Sequence, residues 1–444
     1  MIFPGLSSCS DSWLDAKPNK SLVVPESISD FQALLDNVSQ TFNFFQASGL
    51  AEISSGDFFI TNASYLTLFT TQEKSAYTWA PTPGFYNAEN SSDWENSYKR
   101  ILNSNVVLEG IAKINPGKDQ QVEWNRVKGS ALFFRAVDFY GLTQEYCTAY
   151  NPKTAANQMG VPLRLEYNVN IKLKRASLEQ TYSQLIGDLK ASSALLDTRP
   201  LIKTRPSKQA AFAMLARVYL SMEDYPLAGI YADSAMLIQS DLIDYSNLNI
   251  IAAYPIVKFN TEVIFHNTFT YGIFTPARLL VDPSLYSSYA ANDYRRTIFF
   301  KAATGGVTYK GNYTGDRTFF GGLATDELYL IRAEVNARKG AVKAAVADLN
   351  TLLKKRFQNN FLEVTENNAE SVLALVLAER RKELLFRGLR WSDLRRLNRD
   401  PRFAVTLSRT LNNVTYTLLP NDKRYVFPLD DQEITLTGIT QNDR

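Results

Sequence analysis

The stretch E-R-R-K-E-L-L-F-R-G-L-R-W-S-D-L-R-R, residues 379–396, decides how the rest of this sequence is interpreted. It interleaves acidic and basic side chains with large apolar ones, which are Leu384, Leu385, Phe386, Leu389, Trp391 and Leu394. A surface helix does not need so many large apolar side chains, and a core helix tolerates so many charges only when they are paired. The stretch therefore predicts a buried element whose charges form ion pairs.

The residues before this stretch extend its apolar pattern. Apolar or small residues recur at helical spacing, namely Leu373, Leu377, Leu384, Gly388 and Trp391. We therefore expect one apolar helix face across this region. Glu383 lies within helical reach of Arg380 and Arg387, so these two are its expected ion-pair partners.

The distribution of charge argues against nucleic-acid binding. The chain has 444 residues and a formal net charge of +3. Residues 1–97 carry an excess of acidic side chains, and residues 379–402 carry an excess of basic ones. Because acids alternate with the basic residues at helical spacing, we expect internal ion pairs and not a phosphate-binding patch. No run of about 18 apolar residues is present, so the sequence predicts no membrane-spanning helix.

The residue inventory argues against an enzyme. One histidine, His266, and two cysteines, Cys9 and Cys147, cannot supply the four ligands of a His/Cys zinc site, and we predict no metal and no cofactor. The sequence has no nucleophile-elbow motif, phosphate-binding glycine loop or dinucleotide fingerprint. We expect His266 to be a packed strand residue. A glycosidase that uses two carboxylates stays open as an alternative, since 45 Asp and Glu residues are present.

Two segments share the pattern of tetratricopeptide repeats, in which small residues let two antiparallel helices approach closely. The first spans residues 207–240, and the second lies 117 residues further along in the same register. Ala216 and Ala228 of the first correspond to Ala333 and Ala345 of the second. Two repeats in matching register predict a scaffold of helical hairpins.

We predict a mostly α-helical, tetratricopeptide-like scaffold with long aromatic-rich loops and few short strands. Residues 1–25 are polar and contain proline, as is typical of a tether, and residues 26–444 are expected to form a single domain. Ser177 and Gln180 have the spacing of a capping box at the start of a helix, and residues 262–265 are expected to form a strand. The scaffold is predicted at about 26–50, 94–240 and 325–396, the loops, with little regular structure, at about 51–93 and 241–324, and a polar tail at 397–444.

Several motifs occur in one order along the chain. They are Leu6-Ser7-Ser8-Cys9, Trp94-x3-Tyr98-x2-Ile101-x3-Asn105, Gly160-Val161-Pro162-Leu163, the stretch at 379–396, and Arg424-Tyr425-x2-Pro428-Leu429. Together they resemble the SusD/RagB family, the surface nutrient-binding lipoproteins of Bacteroidetes-type bacteria. Arg387 departs from the family pattern, which commonly has Glu at that position.

The resemblance implies a glycan- or oligosaccharide-binding lipoprotein at the outer-membrane surface of the cell, anchored by a lipid on Cys9. Such a protein delivers its nutrient to a SusC-type TonB-dependent transporter and does not bind nucleic acid. The match departs from the lipoprotein pattern in one respect, since the eight residues before Cys9 contain no basic start and no full apolar segment. Two alternatives stay open, an oligopeptide-binding lipoprotein of the RagB type and a tetratricopeptide protein–protein adaptor.

Aromatic and polar residues of the two loop regions are the candidate ligand contacts. Flat aromatic faces pack on the apolar faces of sugar rings, and nearby amide and guanidinium groups hydrogen-bond the hydroxyls. The candidates are Trp79, Tyr86 and Asn87 in the first loop region, and Tyr271, Phe274, Arg278, Tyr313, Arg317 and Phe319 in the second.

Overall fold

The computed structural model describes residues 25–38, 42–44, 48–358 and 361–444. Cys9 and all but the last residue of the predicted tether lie outside these ranges. Within them the fold is mostly helical with small two-stranded sheets, as the sequence predicts. None of the helices in these ranges combines the length and the apolar character needed to cross a bilayer.

The helices follow one another along the described chain with short connections. The first nine are α1 (Ile28–Leu35), α2 (Gly49–Ser54), α3 (Asn62–Leu66), α4 (Thr71–Thr78), α5 (Ser92–Ala112), α6 (Gln121–Tyr146), α7 (Leu178–Leu195), α8 (Lys208–Ser221) and α9 (Tyr225–Met236). The others are α10 (Pro283–Ser287), α11 (Arg295–Ile298), α12 (Thr325–Arg338), α13 (Val342–Leu353), α14 (Ala369–Glu383), α15 (Arg390–Leu397) and α16 (Asp431–Thr437).

The strands are short and pair in antiparallel twos. They are β1 (Phe58–Phe59), β2 (Met159–Pro162), β3 (Arg175–Ser177), β4 (Val263–Phe265), β5 (Thr268–Phe269), β6 (Leu280–Val281), β7 (Phe300–Ala303), β8 (Gly306–Tyr309), β9 (Phe319–Phe320), β10 (Leu323–Ala324), β11 (Leu407–Leu411) and β12 (Val414–Leu418). β1 pairs with β6, which joins the first loop region to the second. β4 pairs with β10, so an early segment of the second loop region lies beside its last residues, just before the scaffold resumes.

The two predicted helical hairpins are confirmed as α8–α9 and α12–α13, and α9 packs against α12. The alanines of the shared pattern are all fully buried, namely Ala216, Ala228, Ala333 and Ala345. A larger side chain at these positions would hold the paired helices apart. The capping box at Ser177 is also confirmed at the start of α7. The strand expected at 262–265 forms as β4.

The stretch at 379–396 is not one helix, so the predicted continuous apolar face is wrong. α14 ends at Glu383 and α15 begins at Arg390. Between them Phe386 and Gly388 adopt left-handed backbone conformations, with φ of 55° and 71°. The cost of that conformation at a non-glycine residue is offset by burial, since the Phe386 ring packs against Phe319 at a centroid distance of 5.1 Å.

The charges of this stretch do form buried ion pairs, as predicted, although their partners are distant in sequence. Glu383 accepts from Arg295 at 2.9 Å and from Arg356 at 2.7 Å. Arg356 also binds Glu262 at 2.7 Å, and all four side chains are fully buried. We call Glu262, Arg295, Arg356 and Glu383 the ion-pair core. Although burial opposes it, the two guanidinium groups hold the pKa of Glu383 below its ordinary value.

The expected partners of Glu383 bind other carboxylates. Arg380 pairs with Asp393 at 2.8 Å, and Arg387 pairs with Asp326 at 3.2 Å. Because the helix stops at Glu383, Arg387 is no longer one turn away from it. Sequence spacing within a presumed helix therefore predicted the kind of interaction but not the pairs.

The loop regions contain more regular structure than the sequence predicts. The first includes α3 and α4, which begin at the capping side chains of Thr61 and Thr70. The second contains short helices and most of the strands. The tail carries the hairpin β11–β12 and the helix α16. These elements are too short to show a helical or strand period in the sequence.

Candidate functional site

An open groove with a volume of ≈ 490 Å³ lies where the first loop region meets the second. Its lining combines aromatic rings, hydroxyl groups and two charged side chains. The lining residues are Phe44, Phe69, Thr70, Glu73, Ser92, Thr270, Tyr271, Gly272, Phe274, Thr275, Arg317 and Thr318. We call this the aromatic groove.

Phe69 is the most exposed ring of the groove, with 84% of its surface accessible. The guanidinium group of Arg278 lies over this ring at 5.6 Å from its centroid. Arg278 is itself held by its donation to the carbonyl oxygens of Gly272, at 2.7 Å, and Thr67, at 3.2 Å. Phe69 therefore presents an apolar ring to solvent beside the anchored Arg278.

Tyr271 is anchored from below by a buried carboxylate. Its hydroxyl donates to Asp93 Oδ1 at 2.8 Å. Burial raises the pKa of Asp93 and raises that of the neighbouring Glu145 well above its ordinary value. Gly49 leaves room for the ring, because a Cβ at that position would lie 2.1 Å from Tyr271 Cε2. The ring orientation is therefore fixed by contacts to α2 and α5.

Glu73 ties the two walls of the groove together. Its carboxylate accepts from the Thr70 hydroxyl at 2.9 Å and from the backbone N–H of Ile273 at 2.7 Å. The first bond lies at the start of α4, and the second lies in the short 3-10 turn Gly272–Phe274. The carboxylate is buried and satisfied by these bonds, so it is a structural group of the groove.

Further polar groups line the groove. Hydroxyl groups line the groove at Thr70, Ser92, Thr270, Thr275 and Thr318. Arg317 is exposed, and within the described part of the chain it forms no ion pair or hydrogen bond. Apolar rings beside groups that both donate and accept hydrogen bonds suit a ligand with apolar faces and polar edges.

Comparison with known families matches both halves of the chain. Residues 12–220 match the family described as "Starch-binding associating with outer membrane", and residues 289–443 match the SusD family. The chain belongs to the SusD/RagB family. Membership supports carbohydrate binding and association with the outer membrane, and it confirms the prediction that the chain is a binding protein and not an enzyme.

Solved structures of SusD-type proteins share the fold. A SusD superfamily protein from Bacteroides thetaiotaomicron superposes with a TM-score of 0.76 at 20% identity, covering 94% of this chain and 100% of that one. One from Bacteroides vulgatus has a TM-score of 0.76 at 22% identity, covering 94% and 99%. A SusD-like carbohydrate-binding protein from Bacteroides vulgatus has a TM-score of 0.71 at 19% identity, covering 93% and 97%. A comparison with curated protein sequences gave no significant match.

The groove lining includes three of the candidate contacts, Tyr271, Phe274 and Arg317, although the Phe274 ring is buried, with only 4% of its surface exposed. Arg278 supports the groove from behind Phe69. Asn87 is exposed but does not line the groove, and its backbone is left-handed with φ of 49°. Choosing aromatic and polar residues of the two loop regions therefore identified part of the groove lining.

The other four candidates are packed in the core, with almost no surface left for a ligand. They are Trp79, Tyr86, Tyr313 and Phe319. The Trp79 indole donates to Ser54 O at 3.1 Å, and the Tyr86 hydroxyl donates to Pro428 O at 3.0 Å. Tyr313 donates to Glu262 of the ion-pair core. Sequence reasoning expected these rings in ligand-facing loops, but the loops fold back on the scaffold and use the rings as their own core.

Sequence reasoning missed Phe69, Phe44 and the row of hydroxyl groups. Phe69 ends the apolar segment Tyr65-Leu66-Thr67-Leu68-Phe69, just before the capping residue Thr70. The segment is too short to show a helical or strand period, so nothing in the sequence separates the exposed Phe69 from the buried Leu68.

His266 takes no part in the groove, and it lies between β4 and β5 and not within a strand as expected. It is 3% exposed, packs between the rings of Phe259 and Phe320, and has its pKa lowered to about 4 by burial. Across the ranges that the structure describes, no group of three or more His, Cys, Asp or Glu residues could hold a metal ion.

Proposed function

We propose that this protein binds a glycan at the cell surface through the aromatic groove. The observation that carries the proposal is the exposed Phe69 ring, held in place by Arg278 beside Tyr271 and five hydroxyl-bearing side chains. Apolar faces with polar edges are the chemical signature of sugar rings, and the groove offers a complement to both.

The groove favours a glycan over a peptide. Its lining carries five hydroxyl groups, of which those of Thr70 and Thr318 already donate to Glu73 and Asp316 and keep only acceptor capacity for a sugar hydroxyl. One mode of peptide recognition adds a strand to a sheet edge through backbone hydrogen bonds. The lining of threonine and serine side chains supplies side-chain hydroxyls instead.

Affinity electrophoresis and calorimetry against a panel of soluble polysaccharides and oligopeptides test the proposal. Phe69→Ala should weaken binding of the retained polysaccharide about tenfold or more, since one exposed stacking ring is lost, equivalent to about 1.4 kcal/mol. The matched control is Tyr167→Ala, an exposed aromatic residue outside the groove, which should bind as the wild type does. Retention of peptides alone, or equal polysaccharide affinity in Phe69→Ala and the wild type, contradicts the proposal.

The same proposal includes an anchor and a partner. A lipid on Cys9 would hold the protein at the outer membrane, and a SusC-type TonB-dependent transporter would receive the glycan. Labelling with radioactive palmitate tests the anchor, and Cys9→Ser should abolish the label. Co-purification of a TonB-dependent transporter with the tagged protein tests the partner, and purification from membranes without any such transporter counts against it. A cytoplasmic protein without label supports the tetratricopeptide adaptor.

A further inference from the structure

Two acidic side chains lie together in the core beneath the aromatic groove. Asp93 comes from the first turn of α5 and Glu145 from the last turn of α6, and both are buried. Within the described part of the chain neither of them forms an ion pair. A buried carboxylate without a cationic partner is costly, so these two groups require another source of stabilisation. We call Asp93 and Glu145 the carboxyl pair.

The first turn of α2 holds one oxygen of each carboxyl group. The backbone N–H of Leu50 donates to Asp93 Oδ2 at 3.0 Å, and that of Ala51 donates to Glu145 Oε1 at 3.2 Å. Because the two donors are consecutive residues, they hold the two carboxyl groups side by side. The other oxygen of Asp93, Oδ1, accepts from the Tyr271 hydroxyl, and the other oxygen of Glu145, Oε2, accepts from no N–H or hydroxyl group.

The carboxyl groups of Asp93 and Glu145 are hydrogen-bonded to each other. Two carboxyl groups form such a bond only when a proton lies between them, because two carboxylates at that distance repel each other. Burial, together with the neighbouring charge of Asp93, raises the pKa of Glu145 well above its ordinary value. The carboxyl pair therefore keeps one proton, on the Glu145 side, and one negative charge.

The other titratable groups that face the carboxyl pair do not replace this proton. Arg100 of α5 is paired with Asp138 at 2.7 Å, and Arg395 of α15 donates to backbone carbonyl oxygens at the end of α6. Burial outweighs the attraction of both guanidinium groups in its effect on the pKa values of the pair. Three tyrosines also face the pair, and burial raises their pKa values, so they stay neutral; they are Tyr86, Tyr146 and Tyr271.

We propose that Glu145 is a positioning residue for the aromatic groove, in which the proton that it shares with Asp93 holds the Tyr271 ring in place for the ligand. This inference rests on the function proposed for the groove. Loss of the proton to solvent would leave two negative charges side by side and push Asp93, the partner of the Tyr271 hydroxyl, away from Glu145. The ring has no room to adjust on its inner side, since it packs directly on Gly49. Ligand binding should therefore weaken as the pH rises.

Calorimetry with the retained polysaccharide, from about pH 5 to about pH 10, tests this inference. In the wild type the Kd should stay constant while the carboxyl pair keeps its proton and rise about three- to tenfold once the proton is lost. Glu145→Gln replaces the shared proton with an amide N–H that does not titrate, so its Kd should not change with pH. Glu433→Gln is the control, because it removes a carboxyl group of raised pKa outside the groove and should keep the pH dependence of the wild type.

Infrared spectroscopy of the ligand-free protein detects the proton itself. The wild type should show a carbonyl band of a protonated carboxylic acid that disappears at high pH and that Glu145→Gln lacks. The inference is overturned if this difference is absent, if the wild-type Kd does not change with pH, or if Glu145→Gln shows the same change as the wild type.

Failure of the proposed function gives a different result, in which no polysaccharide is retained at any pH. Crystal structures of the ligand-free wild type at both ends of the pH range then decide the inference. A Tyr271 ring displaced only at high pH supports it, and an unmoved ring overturns it.

Discussion

The ion-pair core and the aromatic groove differ in what their residues contact. In the ion-pair core every charge of Glu262, Arg295, Arg356 and Glu383 finds a protein partner, and none of these side chains reaches solvent. In the groove, Phe69 and Arg317 face solvent, and Arg317 has no partner within the described residues. The sequence signature that identifies the family therefore builds the scaffold, while the groove uses residues outside that signature.

Glu383→Ala should show the largest effect and act on stability. Removing this carboxylate leaves the Arg295 and Arg356 guanidinium groups without one of their buried partners, which typically costs about 3–5 kcal/mol. Denaturant unfolding measures the change. The control is Glu363→Gln, which breaks the exposed pair with Lys354 and should cost less than about 1 kcal/mol. Similar losses in both variants would mean that the ion-pair core does not stabilise the scaffold.

Gly49→Ala should lower both stability and ligand binding, because it alters α2 and disturbs the groove. The added Cβ would lie 2.1 Å from Tyr271 Cε2, so the ring must move, at a cost of about 1–3 kcal/mol in unfolding free energy and with weaker polysaccharide binding. Gly187→Ala is the control, since nothing lies within 4 Å of its added Cβ, and it should not lower stability. Unchanged binding in Gly49→Ala would show that the position of Tyr271 does not matter to the ligand.

Glu52→Gln changes a buried contact between α2 and the turn that separates α14 from α15. Glu52 accepts from the backbone N–H of Gly388 at 2.9 Å, and burial, with repulsion from Asp57, raises its pKa to about 8. A raised carboxyl pKa means that the folded state holds its proton after the unfolded state has released it. The stability that the folded state gains by keeping the Glu52 proton is therefore full below pH 4.5, and it is lost as the pH rises toward about 8.

The pH dependence of unfolding measures this effect. The loss of unfolding free energy between pH 5 and pH 8 should be smaller in Glu52→Gln than in the wild type by at least about 1.4 kcal/mol, the equivalent of one pKa unit. Other buried carboxyl groups, such as Asp93, are present in both proteins and cancel in the comparison. Equal pH profiles would place the Glu52 pKa near its ordinary value.

Arg317→Gln should show the smallest effect, and only on binding. Its guanidinium group is exposed and supports no other residue in the described structure, so unfolding should not change. Polysaccharide affinity should fall about two- to tenfold through the loss of one hydrogen-bonding group. Arg402→Gln, an exposed arginine paired with Asp400, is the control and should bind normally. A stability loss in Arg317→Gln without an affinity loss would assign it to the scaffold.

The scaffold was the part of the fold that sequence reasoning predicted best. Ala216 and Ala333 repeat in register because close helix packing leaves no room for larger side chains, and Ser177 starts its helix through a local capping bond. The break between α14 and α15 was missed because Phe386 adopts a left-handed backbone that only tertiary packing stabilises.

The groove was predicted less well, because ring exposure depends on how the loops fold back. Tyr271 and Tyr313 look alike in sequence, as aromatic residues of one insertion. Tyr313 turns inward to Glu262, and Tyr271 lines the groove above Asp93. Both hydroxyls bind buried carboxylates more than forty residues away, so no local pattern separates the two rings.

A crystal structure of the protein with a retained oligosaccharide tests the central claim most directly. We predict sugar rings in the aromatic groove, with an apolar face against Phe69 and hydroxyls within hydrogen-bond distance of the threonine side chains and Arg317. An oligosaccharide bound elsewhere, with the groove open to solvent, would contradict the account.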